Sequence, residues 1–413
     1  GLKLGPNGQK LYFVSTGRLS ALTLQTGTVA PVAFNAQFTV NLKEEEKALF
    51  EEIWWSMDRM YYDENINQKN WKQIREKFAK IVPYAFDRAD FYAMMAEMME
   101  EIDSSHLGTV APPSAPVDGA DATAMLGVEW NWPALNSRGV YLVDKVNEGT
   151  PAAHPQSLLK KDDRILAVDG EEVTTGKSIS AMLNRKSGRK VRLTVERNGR
   201  KIDVEIKPID SAARGAINYE NYVKWQRAQV DKLSNGQLAY LHIQGMNDPS
   251  FDRFLREMRT LAEGKKGVLI DVRFNGGGST SHKVLGILVK QPWLYRNQRG
   301  DWEKLISENL WRGDSLELPT ALLINQYSFS NAEILAEGFR RLKRGPIIGE
   351  RTAGGVIGTS QLSLWDGGQI RVPAAGAFTV DGENLEGNGR RPDFNVPFDP
   401  NAWLGGRDAQ LEK

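Results

Sequence analysis

Apolar residues change their spacing several times along this chain, and the changes divide it. Near the start, two alternating runs, Lys10–Ser15 and Leu19–Leu24, flank Gly17, with Asn7-Gly8 before them and Thr26-Gly27 after. Alternation bounded by turn residues predicts strands. From Glu44 the period lengthens: Phe50, Ile53, Trp54, Met57 and Tyr61 share one face of a helix over Glu44–Tyr62, and Lys69–Val82 and Arg88–Ile102 read as two more helices. Met94, Met95, Met98 and Met99 on the last of these read as core. Residues 125–208 return to short strands, Leu126–Trp130 and Gly139–Val146, with a short helix from Gly149 and a strand and tight turn over Asp163–Gly170. A helix over Ile179–Arg185 follows, then a hairpin of Lys190–Arg197 and Lys201–Ile206 across Asn198-Gly199. The last part alternates short apolar runs (Leu238–Gln244, Val268–Val272, Ala321–Asn325) with helical stretches. These are Ser250–Ala262 and the segment from Asn331, which places Ile334, Leu335, Phe339 and Leu342 at helical spacing. Gln361–Trp365 and Gln369–Val372 form a hairpin across Asp366-Gly367-Gly368. The predicted fold class is multidomain α+β, with a helical domain, a β-rich domain and an α/β domain.

Composition narrows the function classes. A net charge of +1 over 413 residues gives no strong pull toward nucleic acid or anionic membrane. The chain has no cysteine, which excludes a disulfide framework, a thiol nucleophile and thiolate metal sites. No apolar run approaches the roughly 18–20 residues that a bilayer-spanning helix needs, so no membrane insertion is expected. The chain also opens abruptly, without a signal-peptide pattern, as a piece of a longer or engineered protein would.

The candidate chemistry lies where two strand-to-helix units meet. Val268–Val272 runs into Asn275-Gly276-Gly277-Gly278, and Ala321–Asn325 runs toward Ser330 at the start of a helix. A serine at such a corner has an exposed hydroxyl beside helix-start N–H groups, and a glycine turn lets bare backbone approach a developing oxyanion. The same residues also fit an N-cap serine and a tight turn in an ordinary α/β fold. The glycine run lacks the Gly-Lys-Ser/Thr ending of a phosphate loop. Among the four histidines, His106 follows a helix and precedes a loop rich in Pro and Ala; it suits either a cleft or a capped surface. His242 sits in a buried strand, His154 in a turn of the β-rich module, and His282 begins the helix after the glycine turn, where it competes with His106 as a base. No pairing of these four has zinc spacing, so no metal and no cofactor are expected.

The middle module resembles a PDZ domain, through Gly149-Thr150-Pro151-Ala152, the segment Asp163–Gly170 and the closing hairpin. The resemblance implies capture of an extended peptide, with its carboxylate in the loop Leu126-Gly127-Val128-Glu129. The first strands resemble part of a β-propeller blade. With the PDZ module ahead of them, GVLIDVRFNGGG (Gly267–Gly278), SFSNAEI (Ser328–Ile334), GERTAGG (Gly349–Gly355) and Pro392-Asp393 resemble the tail-specific (S41) serine peptidases. In the C-terminal processing type a lysine serves as base in the turn after Gly-Glu-x-Thr. Here that position is Gly355. Ser105-His106 ahead of the PDZ module and Glu386 near the end resemble the tricorn type instead.

That resemblance implies a crotonase/ClpP-like α/β catalytic domain and a residue assignment. Ser330 is the nucleophile, and His106 takes its proton and returns it to the leaving amine. Ser105 and Glu386 orient the ring, the carboxylate bonding the Ser105 hydroxyl. The N–H of Asn331 and of Gly276 or Gly277 form the oxyanion hole. Asn331 stands where the tricorn type has an acidic residue. Arg296 lies in the segment Gln291–Gly300, where that type carries an acidic residue selecting basic P1 side chains, so acidic or apolar P1 is expected here. The implied domains are 1–41 (blade remnant and linker), 42–124 (helical, carrying Ser105-His106), 125–210 (PDZ) and 211–405 (catalytic). The implied partners are peptide or unfolded-protein substrates and further copies of the chain, with no nucleic acid. A cytoplasmic location follows from the resemblance alone, with a periplasmic or secreted one left open. The alternative function is an inert PDZ-containing scaffold that binds peptide C-termini.

Overall fold

Buried strands of the last 180 residues assemble into a parallel sheet that carries the rest. In the computed structural model, which describes every residue except 16, 34–38, 114–121, 175, 289–291, 307–315 and 317, the sheet order is Leu238–His242, Gly267–Asp271, Thr320–Ile324, Ile347–Gly349, Phe394–Asn395. All four pairings are parallel. Such strands are covered on both faces, which is why they read as continuous apolar runs. The helices Asp248–Leu261 and Asn331–Arg341 bury Phe251, Phe254, Leu335 and Phe339 against one face. Each fully buried side chain of this size contributes about 1.5–3 kcal/mol.

The other face holds a helix missing from the sequence reading, Ser211–Leu233. Only Val223, Gln226 and Val230 of it are buried, so its apolar signal is thin. It packs through Tyr219 and Tyr222 on Tyr240 and Leu323. Below it, Arg273 is 1% exposed and bonds Asp271, Asp408 and Gln410. This ion network ties the final turn Ala409–Glu412 to the sheet, so packing on the α/β domain continues past residue 405.

A second sheet is antiparallel, in the order Asp301–Ile306, Pro292–Gln298, Gln369–Thr379, Gly358–Ser363. Its inner face completes the core of the helical region. Leu49, Phe50, Ile53, Met57, Phe91, Met95, Met98 and Met99 share one apolar cluster with Ile357, Leu364, Ile370 and Val372. The three helices run Leu42–Met60, Trp71–Ala79 and Arg88–Glu100, with Asn41, Asn70 and Asp87 capping their first N–H groups. The strand Gly108–Val110 then pairs with Gln369–Arg371 as an edge of the second sheet.

The β-rich module has its own core and its own four-stranded sheet. Three boundaries differ from expectation. Leu126–Trp130 is a strand only over Val128–Trp130, because Gly127 takes φ +92° against Thr150. Gly139–Val146 shortens to Val143–Val146, because Asn131 caps a helix over Trp132–Arg138 that ends on Gly139 at φ 65°. The helix expected over Ile179–Arg185 spans Ile179–Met182. The hairpin across Asn198-Gly199 forms as read, both turn residues having positive φ. At the N-terminus, Leu2–Leu4, Lys10–Ser15, Arg18–Thr23 and Thr28–Pro31 make one antiparallel sheet in chain order, with Leu2, Leu4, Val14 and Val29 exposed.

Candidate active site

Ligands of parallel sheets gather at the carboxyl ends of the strands, and both strand-to-helix units end there. After Thr320–Ile324 the chain turns under hydrogen bonds. The Ser328 hydroxyl donates to the Val272 carbonyl at 2.8 Å, and the Phe329 N–H donates to the Asn275 carbonyl at 2.9 Å. The turn delivers Ser330 at φ 57°, ψ −119° to the start of the helix Asn331–Arg341. That backbone region costs a residue with a side chain about 1–3 kcal/mol. The glycine turn runs directly beneath it: a Cβ on Gly277 would lie 2.6 Å from the Ser330 Cβ.

His106 reaches this corner from the helical region. Its ring is buried, 8% exposed, and stacks on Phe329 with centroids 4.5 Å apart. Nε2 lies 2.9 Å from the Ser330 Oγ, and Nδ1 lies 2.6 Å from the Ser105 Oγ. A ring that accepts the serine proton at Nε2 must carry its own hydrogen on Nδ1, which then donates to Ser105. Burial pulls the His106 pKa down to about 4, aided by the positive charge of Arg371. The ring is therefore neutral near pH 7 and free to accept a proton.

Glu386 stands behind this pair, but not as expected. Its Oε1 accepts from the Ser105 backbone N–H at 2.8 Å rather than from the Ser105 hydroxyl, and its Oε2 accepts from the Val356 N–H at 2.9 Å. The carboxylate thus fixes the main chain that presents Ser105. Gly355 confirms the absence of a lysine dyad in steric terms. A Cβ there would meet the Phe329 ring at 2.5 Å and Ser105 at 2.9 Å.

The two glycines proposed as oxyanion donors separate. The Gly277 N–H donates to the Asn275 side chain at 2.9 Å, so it is committed within the turn. Gly276 and Asn331 line the same cavity as Ser330, and among the described residues neither backbone N–H meets an acceptor. The Asn331 side chain accepts from the Ser281 N–H at 2.8 Å, which joins the two helix starts. The cavity measures about 710 Å³.

Glu333 was missed by the sequence reading. It is 0% exposed, and its oxygens accept from the N–H of Ser330, Gly354 and Gly355 and from the Thr352 hydroxyl. Burial pushes its pKa up, against these hydrogen bonds. The spacing Ser330-x-x-Glu333 is a capping-box signal that would have found it. Arg371 was also missed. It enters the cavity wall only because its strand pairs with Gly108, two residues past His106.

The other sequence candidates divide. His242 is buried between the Tyr219 hydroxyl and the Arg273 carbonyl, and His154 is exposed, both as expected. His282 lines the cavity beside the glycine turn. Leu126 belongs to the PDZ core, and the Gly127 carbonyl accepts from Asn147 and Thr150. Val128 pairs with Val146. None of these three lines the Ser330 cavity. The Arg296 backbone pairs with Ala377 on the cavity wall, but its side chain lies outside the described residues. No group of three or more metal-ligating side chains comes together among the described residues.

Comparison with known proteins gives the same three-part order. Residues 42–100 match the tricorn protease C1 domain, 124–207 the PDZ domain and 237–396 peptidase family S41. Tricorn protease homolog 1 of Streptomyces coelicolor is 28% identical over 386 residues, 91% of this chain and 35% of that protein. The tricorn protease of Thermoplasma acidophilum is 27% identical over 384 residues, 90% of this chain and 34% of that protein. The chain therefore spans about a third of the length of these curated relatives. The crystal structure of the tricorn protease superposes with a TM-score of 0.80 at 25% identity, covering all of this chain and 40% of that one. Since the S41 match holds Ser330, the C1 match ends just before His106 and the PDZ match lies between them, this chain carries an S41 peptidase domain over residues 237–396 and is similar to the tricorn proteases in the order of its domains.

Proposed function

We propose that this chain hydrolyses peptide bonds of oligopeptides or unfolded chains through an acyl-enzyme on Ser330. The observation that carries the reading is the 2.9 Å approach of His106 Nε2 to Ser330 Oγ, from segments 224 residues apart. His106 takes the Ser330 proton as Oγ bonds the scissile carbonyl carbon, and the carbonyl electrons move to oxygen. The Gly276 and Asn331 N–H groups stabilise that oxyanion; loss of one such donor typically costs about 100- to 1000-fold in turnover. As the oxyanion collapses, the C–N bond breaks and His106 donates its proton to the leaving amine. Water then attacks the ester carbonyl with His106 again as base, the acyl C–O bond breaks, and His106 returns the proton to Ser330 Oγ as the acid product leaves. Ser105 accepts from Nδ1–H throughout and keeps the ring in the tautomer this sequence requires.

The S41 peptidase domain over residues 237–396 supports the peptidase class, and the cavity provides room for a peptide. The reading extends to a homo-oligomeric assembly, which sedimentation would test. A fluorophosphonate tests the mechanism. It should add its mass to Ser330 of the full chain, Ser330→Ala should take none, and His106→Ala should react about 10²- to 10⁴-fold more slowly. Absence of labelling at Ser330, with peptide still bound by residues 122–209, would favour the inert scaffold instead.

A further inference from the structure

The walls of the Ser330 cavity carry an unequal charge. Arg371 is exposed on its strand beside His106. Its Nε donates to the Thr359 hydroxyl at 3.1 Å, which fixes the guanidinium plane. Among the described residues no carboxylate lies in ion-pair range of Arg371. Among the described residues the one acidic side chain lining the cavity, Asp248, is paired with Lys283 at 2.5 Å. The first residues of the helix Ser281–Leu288 line the same cavity, with His282 in its first turn. Its N-cap position is Thr280, which is 3% exposed; its hydroxyl has no hydrogen-bond partner although it belongs to the cavity wall.

These observations converge on one ligand chemistry. An arginine with both terminal nitrogens unpaired matches a carboxylate by a two-point fork. A helix start adds positive potential, and a buried hydroxyl without a partner calls for an acceptor. We infer that Arg371 selects substrates bearing an acidic side chain at the residue whose carbonyl Ser330 attacks. This deepens the proposed peptidase reading and rests on it. It also sets two tasks on one guanidinium, since the same positive charge that holds the substrate carboxylate disfavours protonation of His106.

The test is binding to the full chain carrying Ser330→Ala, so that it does not depend on turnover. Peptides with amidated C-termini differ only by Glu or Gln at the attacked residue, and affinity is read by titration calorimetry. The Glu peptide should bind about tenfold more tightly. In Ser330→Ala/Arg371→Gln the ratio should fall to about one, and Arg371→Lys should keep part of it, with a thermal melt checking that each variant folds. Equal affinities with Arg371 intact would overturn the inference, as would a Glu preference that survives Arg371→Gln. A preference for free-acid over amidated termini, with no response to the side chain, would overturn it too, by moving the carboxylate to the peptide terminus. Failure of the peptidase reading itself would appear separately, as absence of fluorophosphonate on Ser330.

Discussion

His106 sits at φ 64°, buried against Phe329, and its chemistry follows from that burial. A charged imidazolium loses its hydration there, so the neutral ring is favoured and the pKa falls from 6.5 to about 4. Between those two values the unfolded chain binds a proton that the folded chain refuses. This contribution to stability is therefore present above pH 6.5 and is lost as pH falls through the window toward 4. The catalytic consequence has the same sign. The acid limb of kcat/KM should fall near pH 4, and a rate profile with its inflection at or above pH 6.5 would contradict a desolvated base.

At the scale of elements, the site depends on how loops are pinned together. Glu333 does most of this, because one buried carboxylate holds the Ser330 corner and the turn Thr352–Gly355 at once. Glu333→Gln places an amide NH₂ among donors and leaves at least one of them unpaired. Such losses cost about 1–3 kcal/mol each in a buried site. The variant should lose about 2–4 kcal/mol in denaturant unfolding and label Ser330 more slowly. A midpoint and labelling rate equal to those of the parent would mean the turn is held by other contacts. The Ser330-x-x-Glu333 spacing was legible as a cap. That the second oxygen would serve a loop nineteen residues downstream was not, since only the fold brings Thr352 to it.

For the whole molecule, the shared core decides which parts stand alone. The helices of residues 42–100 are closed by Ile357, Leu364, Ile370 and Val372 from the far end of the chain. The PDZ module closes itself, with Met125 bridging Ile209 and Thr123 bridging Asn184 at its ends. Residues 122–209 expressed alone should therefore unfold cooperatively in urea, with a slope of about 1–3 kcal/mol/M, while residues 42–110 alone should show no such transition. A folded 42–110 fragment would mean the shared cluster is dispensable. The shared cluster also keeps His106 near Ser330, so the geometry of the site is a property of both domains.

Local pattern determined most of what lies along the chain. Periods of two and of 3.6 marked the strands and helices, and the Asn-Gly turn set the hairpin. The two strand-to-helix corners located Ser330 and the glycine turn, because each is a short-range consequence of backbone preference. Resemblance between motifs pointed to His106, Ser105 and Glu386 as partners. Tertiary structure alone decided how they meet: Glu386 through the Ser105 main chain, Gly277 as the close approach to Ser330, Gly276 on the cavity wall, and Arg371 beside His106. Each of these depends on pairing between segments hundreds of residues apart or on the direction of a single N–H. Sequence periodicity records which face a residue occupies, and carries no information about what the fold brings against that face.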